Sequence, residues 1–172
     1  MSVTSTPASP LRPALLAALA LAALLPAAPL RGQEAGGAPA ADRDAALAVV
    51  TAFFDGMRAH DSTAIRATLH PEIRLLTTGE KDGQPFVRAE AMDDFLAAVA
   101  GSAHGLDERL RDPEVRVDEG LASVWAGYDF YLDGAFSHCG VDAFQLARTS
   151  GGWKIVQIMD TRRKEGCAAA EG

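Results

Sequence analysis

LASVWAGYDFYLDGAFSHCGVDAFQLARTSGGWKIVQIMDTRR, residues 121–163, carries the pattern on which the fold turns. Three runs rich in β-branched and aromatic residues, 121–133, 135–149 and 152–163, are separated by Asp133-Gly134 and by Ser150-Gly151-Gly152. Asp-Gly between two such runs marks a two-residue hairpin, because both turn positions need positive φ, which Asp tolerates and Gly accepts. That turn sets Leu132 opposite Ala135. Counting back along a regular ladder, Tyr131 faces Phe136, Asp129 faces His138, Trp125 faces Asp142 and Ser123 faces Phe144, and each pair shares a side of the sheet. The second turn leaves its register open by one residue, yet either choice pairs even positions before it with odd positions after it.

The two sides then sort as follows. One carries Trp125, Asp129, Tyr131, His138, Asp142, Phe144, Leu146, Trp153, Ile155, Gln157 and Met159; the other carries Val124, Ala126, Tyr128, Phe130, Cys139, Val141, Ala143, Lys154, Val156, Ile158, Asp160 and Arg162. Both are apolar enough to be covered. The first is assigned to the helices, since two Trp residues need a thick layer, and the second to a partner subunit or to the tail that carries Cys167.

Upstream, VRVDEG (115–120) reads as a further strand, while the mixed run DERLRD (107–112) reads as solvated charge. Apolar residues at Leu47, Val50, Phe54 and Met57 give one helix face between Asp44 and His60, capped by Asp42 or Asp44. Asp61 and Ser62 start a shorter helix through AIRATL, which Pro71 ends. EIRLLTTG and PFVRA form a hairpin around EKDGQ, and Met92, Phe95, Leu96 and Val99 mark a third helix that stops near Gly101.

The first forty residues differ from the rest. Arg12 precedes ALLAALALAALLPAAPL (14–30), too short and too Pro-interrupted to span a bilayer comfortably, and Ala38-Pro39-Ala40 is an A-x-A site, so residues 1–40 read as a signal peptide and linker. Cleavage nearer Gln33 and an uncleaved anchor are the alternatives. The expected locale is periplasmic or secreted, with no stable membrane association after cleavage. The formal charge of the whole chain is −7. Residues 41–172 form one domain, whose acidic balance suits neither nucleic acid nor an anionic membrane. Cys139 and Cys167 fit an exported chain as a disulfide, which would stabilise by roughly 3.5 kcal/mol in the chain-entropy model; two unpaired buried thiols are the rival.

Helix, helix, hairpin, helix and a long antiparallel meander ending in GWKI resemble the nuclear-transport-factor-2-like superfamily, also called SnoaL-like or ketosteroid-isomerase-like. SHCGVDAFQLARTSGGWKIVQIMDTRRKEGC (137–167) is similar to an exported bacterial subgroup labelled "putative lumazine-binding". The resemblance runs from about Asp44 to Cys167. It implies an α+β cone, a strongly curved, mainly antiparallel sheet wrapped around three N-terminal helices and enclosing a pocket, with homodimers formed through the outer sheet face. Isomerases of the superfamily use an aspartate base and a tyrosine donor, but no Tyr lies on the first helix here, and Asp55 matches a base only by rough position. The dehydratase pattern of histidines with acids is echoed by His138 with Asp129.

In this reading His138 and Asp129 are the catalytic candidates, a carboxylate fixing the tautomer of an imidazole, against the alternative of a structural cross-strand ion pair. Asp142 is a second acid whose pKa a dry pocket would raise. Trp125, Tyr131 and Phe144 would stack a small flat or hydrophobic ligand, and Gln157 would hydrogen-bond its edge. His60, His70 and His104 lack ligand spacing, so no metal is expected, and no cofactor is implied. Three functions follow: an exported small-molecule-binding domain with a His-Asp pair in its pocket; a cofactor-independent isomerase, dehydratase or cyclase; and an interaction module working through the outer face.

Overall fold

The computed structural model describes residues 40–167. The predicted leader, with its Gln33 and Ala38-Pro39 junctions, lies outside the described residues. Helix α1 spans Ala40–Arg58, α2 Ser62–Thr68 and α3 Met92–Ala100. The strands are β1 Leu69–Lys81, β2 Gln84–Glu90, β3 Leu106–Asp118, β4 Leu121–Leu132, β5 Ala135–Thr149 and β6 Gly152–Arg163. Among the described residues, no helix is long and apolar enough to cross a membrane.

The helices form where their apolar spacing predicts. In α1 the buried residues Ala46, Val50, Phe53, Phe54 and Met57 follow the three-to-four period of one helix face. The helix begins at Ala40, four residues earlier than the expected start at Asp44, and carries Asp42 in its first turn, where a carboxylate offsets the partial positive charge of the free N–H groups. His60 breaks the run with φ 56°. Asp61 then caps α2 by accepting a bond from the Ala64 N–H at 2.9 Å.

All six strands form one sheet in the order β2-β1-β6-β5-β4-β3, mixed because β1 runs parallel to β6 and antiparallel elsewhere. It bends into an unclosed cone around the helices. The core lies between its concave side and the helices, with Phe53 and Phe54 of α1, Ile65 of α2 and Leu96 of α3 meeting Val124, Phe144, Leu146, Trp153 and Ile155 of the sheet.

The Asp133-Gly134 hairpin forms as predicted, with φ 52° and 79°. Leu132 opposes Ala135 and Tyr131 opposes Phe136, but the ladder then slips: Phe130 opposes His138 and Asp129 opposes Cys139. Ser137 is the extra residue of a β-bulge, and because side chains alternate, one extra residue moves everything beyond it to the other side. A second slip follows Leu146–Ile155, where Gln145 opposes Gln157 and Val156 is left over. Two bulges therefore overturn the regular-ladder assignment. The concave side carries Tyr128 and Phe130 from β4, His138, Asp142, Phe144 and Leu146 from β5, and Trp153, Ile155, Ile158, Asp160 and Arg162 from β6.

The run DERLRD is strand, not loop. It belongs to β3, where Asp107 and Arg109 share the outer row with Tyr131 and Asp129, while Glu108 and Leu110 share the inner row with Phe130 and Tyr128.

Cys139, on the convex side, is bonded to Cys167, and both are buried. The bond spans 28 residues. Cys167→Ala is expected to cost about 3.5 kcal/mol, mainly by freeing the unfolded chain. Urea unfolding with and without reductant checks this, and a variant as stable as the oxidised wild type would mean that the staple contributes nothing.

Candidate functional site

Strand alternation and the parallel β1–β6 pairing place one polar row across the apolar concave side: Asp142 on β5, Asp160 opposite it on β6, and Thr77 opposite Asp160 on β1. Arg162 stands two residues along β6, and Glu108 reaches in from β3. Asp160 is satisfied, accepting 2.6 Å bonds from Thr77 Oγ1 and Arg162 Nε. That commits the one arginine of the cluster to one of its three carboxylates.

Glu108 and Asp142 are left with each other. Burial and the neighbouring Asp142 hold the Glu108 carboxyl well above the usual carboxylate range. Asp142, 3 % exposed, is pushed up to about 7, by burial first, with a hydrogen bond from Glu108 opposing the rise and Asp160 adding to it. With both groups ionised, Asp142 Oδ2 would be a buried acceptor with no donor. A proton held between the two carboxyls supplies that donor and removes the repulsion, so the pair titrates as a unit. Tyr128 closes the cluster; its hydroxyl donates to the Thr161 carbonyl at 2.9 Å, and burial raises its pKa.

Two adjoining cavities open on this cluster. The inner, about 50 Å³, has walls of Phe53, Phe54, Leu75, Phe95, Phe144 and Ile158 around Glu108, Asp142, Asp160 and Arg162. The outer, about 240 Å³, is bounded by Leu106, Phe130, His138 and α3, and shares Met57, Phe95, Glu108 and Arg162 with the inner one. His138 lies against Phe130, ring centroids 4.9 Å apart, with Ser137 Oγ 3.1 Å from its Nδ1. Burial first, then the positive charge of Arg162, lowers its pKa, so the ring is neutral at neutral pH. The arrangement offers a carboxyl donor and a carboxylate acceptor in the inner cavity and a neutral imidazole in the outer one, along an aromatic-walled slot.

Of the residues singled out from sequence, His138, Asp142 and Phe144 line these cavities. The other four do not. Asp129 and His138 are not a couple: the bulge at Ser137 puts Asp129 on the convex side, where its Oδ2 lies 3.0 Å from Arg111 Nε. Trp125 shares that side, 56 % exposed, as does Tyr131, whose ring lies 4.2 Å beneath the Arg109 guanidinium. Gln157 is carried outside by the second bulge, opposite Gln145. In their place stand Glu108, Asp160 and Arg162. Glu108 was hidden in a run that looked like solvated charge. The signal for it was the alternation Leu106, Glu108, Leu110 against Asp107, Arg109, Arg111, which is a strand with one acid on its apolar side.

This architecture, three helices held in a curved mixed sheet with a pocket between them, is the NTF2-like cone. An NTF2-like protein of unknown function from Shewanella baltica superposes with TM-score 0.59 at 15% identity, covering 74% of this chain and 98% of that one. An NTF2-like protein with a cystatin-like fold from Novosphingobium aromaticivorans gives 0.60 at 17%, covering 77% and 88%. A "putative dehydratase from the NTF2-like family" from Streptomyces avermitilis gives 0.60 at 18%, covering 73% and 99%. No curated protein matches the chain. The chain belongs to the family described as "Putative lumazine-binding", whose model matches residues 41–159, which bears out the resemblance drawn from residues 137–167, its last two strands.

Proposed function

We propose that this domain binds a small planar molecule in the concave pocket, its faces against Phe95 and Phe130 and its polar edge on Glu108 and Asp142. The observation that carries this reading is the buried Asp142 carboxyl, its Oδ2 without a partner, beside Glu108 in a cavity walled mainly by aromatic and aliphatic side chains, where Asp160 and Arg162 are already paired with each other. Burying such a carboxyl pair costs stability, and it earns a place only where something polar meets it. The two cavities together lie near the lower limit of ligand sites, about 300 Å³, which suits one or two rings. The family description makes lumazine, a pteridine-dione, the first compound to try.

Titrating the protein with lumazine while following backbone amide shifts tests this. Shifts confined to α3, β3 and the His138 end of β5, and abolished by Phe95→Ala together with Asp142→Asn, are expected. Shifts clustered around Trp125 on the convex side would refute it.

A second reading is a cofactor-independent isomerase or dehydratase, favoured by the value of about 7 for Asp142, near where a general base works best. Asp142 and Glu108 would take the roles that the sequence reading gave to His138 and Asp129. The leader segment and the disulfide support action outside the cytoplasm, and the exposed Trp125 supports homodimer formation through the convex face.

A further inference from the structure

The pocket's charge balance is lopsided in a way that selects among ligands. Among the described residues, every titratable group facing the inner cavity comes from the sheet: Glu108 from β3, Asp142 from β5, Asp160 and Arg162 from β6. The helices contribute Phe53, Phe54, Met57 and Phe95, none of which carries charge. Three acids thus face one cation, and that cation is tied to Asp160 at 2.6 Å. His138 at the outer cavity supplies no positive charge at neutral pH, its proton lost to burial and to Arg162. Asp142, 3 % exposed and lining the cavity, keeps one oxygen that nothing but a proton satisfies.

We propose that this proton stands where a ligand's donor belongs: the pocket takes planar rings bearing a cationic or donor-rich amidine edge, and binding such a ligand expels the proton shared by Glu108 and Asp142. An amidinium presents two parallel N–H donors and one positive charge. Its N–H bonds would replace the proton between the carboxyls, and its charge would balance the carboxylate left behind, so the proton goes to solvent as the cation enters. Charge-assisted bonds of this kind are about twice as strong as neutral ones. A carboxylate-bearing ring would meet only repulsion there, and an amide-edged ring gains one donor and no charge. The inference rests on the concave pocket being a ligand site and adds the chemical class that it accepts.

Calorimetric titration of the full chain with benzamidine, benzamide, benzoate and lumazine, in two buffers of different ionisation enthalpy, tests both layers. Benzamidine is expected to bind about tenfold or more tightly than benzamide, releasing close to one proton per molecule at about pH 6 and progressively less as pH rises through 7, with benzoate not binding. Its affinity should rise with pH through the titration of the carboxyl pair and then level off. Asp142→Asn, which keeps the shape and removes the charge, should abolish both the preference and the proton release. Glu108→Gln, the milder change, should retain part of the preference while reducing the released proton. Benzamide or benzoate binding as well as benzamidine, with no proton released, would overturn the selectivity while leaving the pocket. Failure of all four compounds to bind would overturn the pocket reading and this inference with it.

Discussion

Replacing Gly140 by alanine is expected to destabilise the domain by more than about 4 kcal/mol, into the range that only a gross steric or electrostatic fault reaches. Gly140 faces Tyr128 across the β4–β5 ladder, and the tyrosine ring lies flat over the place where a side chain would start. A Cβ there would sit 1.8 Å from the Thr161 carbonyl oxygen and 2.5 Å from the Tyr128 ring. The first obstacle is backbone of a paired strand and cannot turn aside; the second is fully buried. Ordinary overpacking costs about 1–3 kcal/mol because neighbours yield by small rotations, and neither neighbour here can. Moving Tyr128 would also break its bond to the Thr161 carbonyl. Urea unfolding followed by circular dichroism would read the loss. The double variant Gly140→Ala with Tyr128→Ala should recover only part of it, since the carbonyl clash remains. A single variant that unfolds at the wild-type midpoint would show that neither the Thr161 carbonyl nor the Tyr128 ring closes the space beside Gly140.

The second large effect is on the pH dependence of stability. Asp142 has a folded pKa of about 7 against an ordinary value of 3.8, and Glu108 is raised too. Between those values the folded chain holds a proton that the unfolded chain has released. Stability therefore falls as pH rises, because it increases with pH only where the unfolded state binds more protons. The contribution is whole below about pH 4 and is lost as pH climbs toward and past 7. About 1.4 kcal/mol per unit over roughly three units gives a ceiling of about 4 kcal/mol. Asp142→Asn removes the titration of Asp142 and leaves that of Glu108, so the pH dependence of stability should be shallower in the variant than in the wild type across the neutral range. Parallel stability curves for the two proteins across that interval would mean that Asp142 holds no proton there.

The sequence was most legible where local chemistry decides. Helix positions followed apolar spacing, and the start of α2 followed the Asp61 cap, although α1 begins at Ala40 rather than Asp44; the Asp133-Gly134 turn followed from the φ its residues accept; the order of elements sufficed for the fold. The site was half legible. His138, Asp142 and Phe144 were placed in the cavity, and a raised carboxylate at Asp142 was foreseen. What failed was parity. A regular ladder run back from the hairpin carries Asp129, Trp125 and Tyr131 inward, and one unpaired residue, Ser137, reverses all three. Nothing in Ser137 announces a bulge, since bulges of this type need no glycine and arise where a sheet must bend around its contents. Gln157 was lost to the same cause at Val156. Glu108 was missed for another reason: a single acid on the inner side of a charged strand looks like surface until the strand's neighbours are known, and its proton is set by Asp142, 34 positions along the chain.

The staple between Cys139 and Cys167 also decides how the domain bears load. A pull on the chain beyond residue 167 does not enter the sheet at Arg163, the end of β6; the covalent link delivers it to Cys139 in the middle of the meander. Residues 140 to 166 are bypassed, and with them the whole of β6 and its Asp160–Arg162 pair. Tension from that side would reach the rest of the molecule without peeling the strand that forms the floor of the pocket, so the part of the fold that holds the charges in place is the part the tail cannot tug.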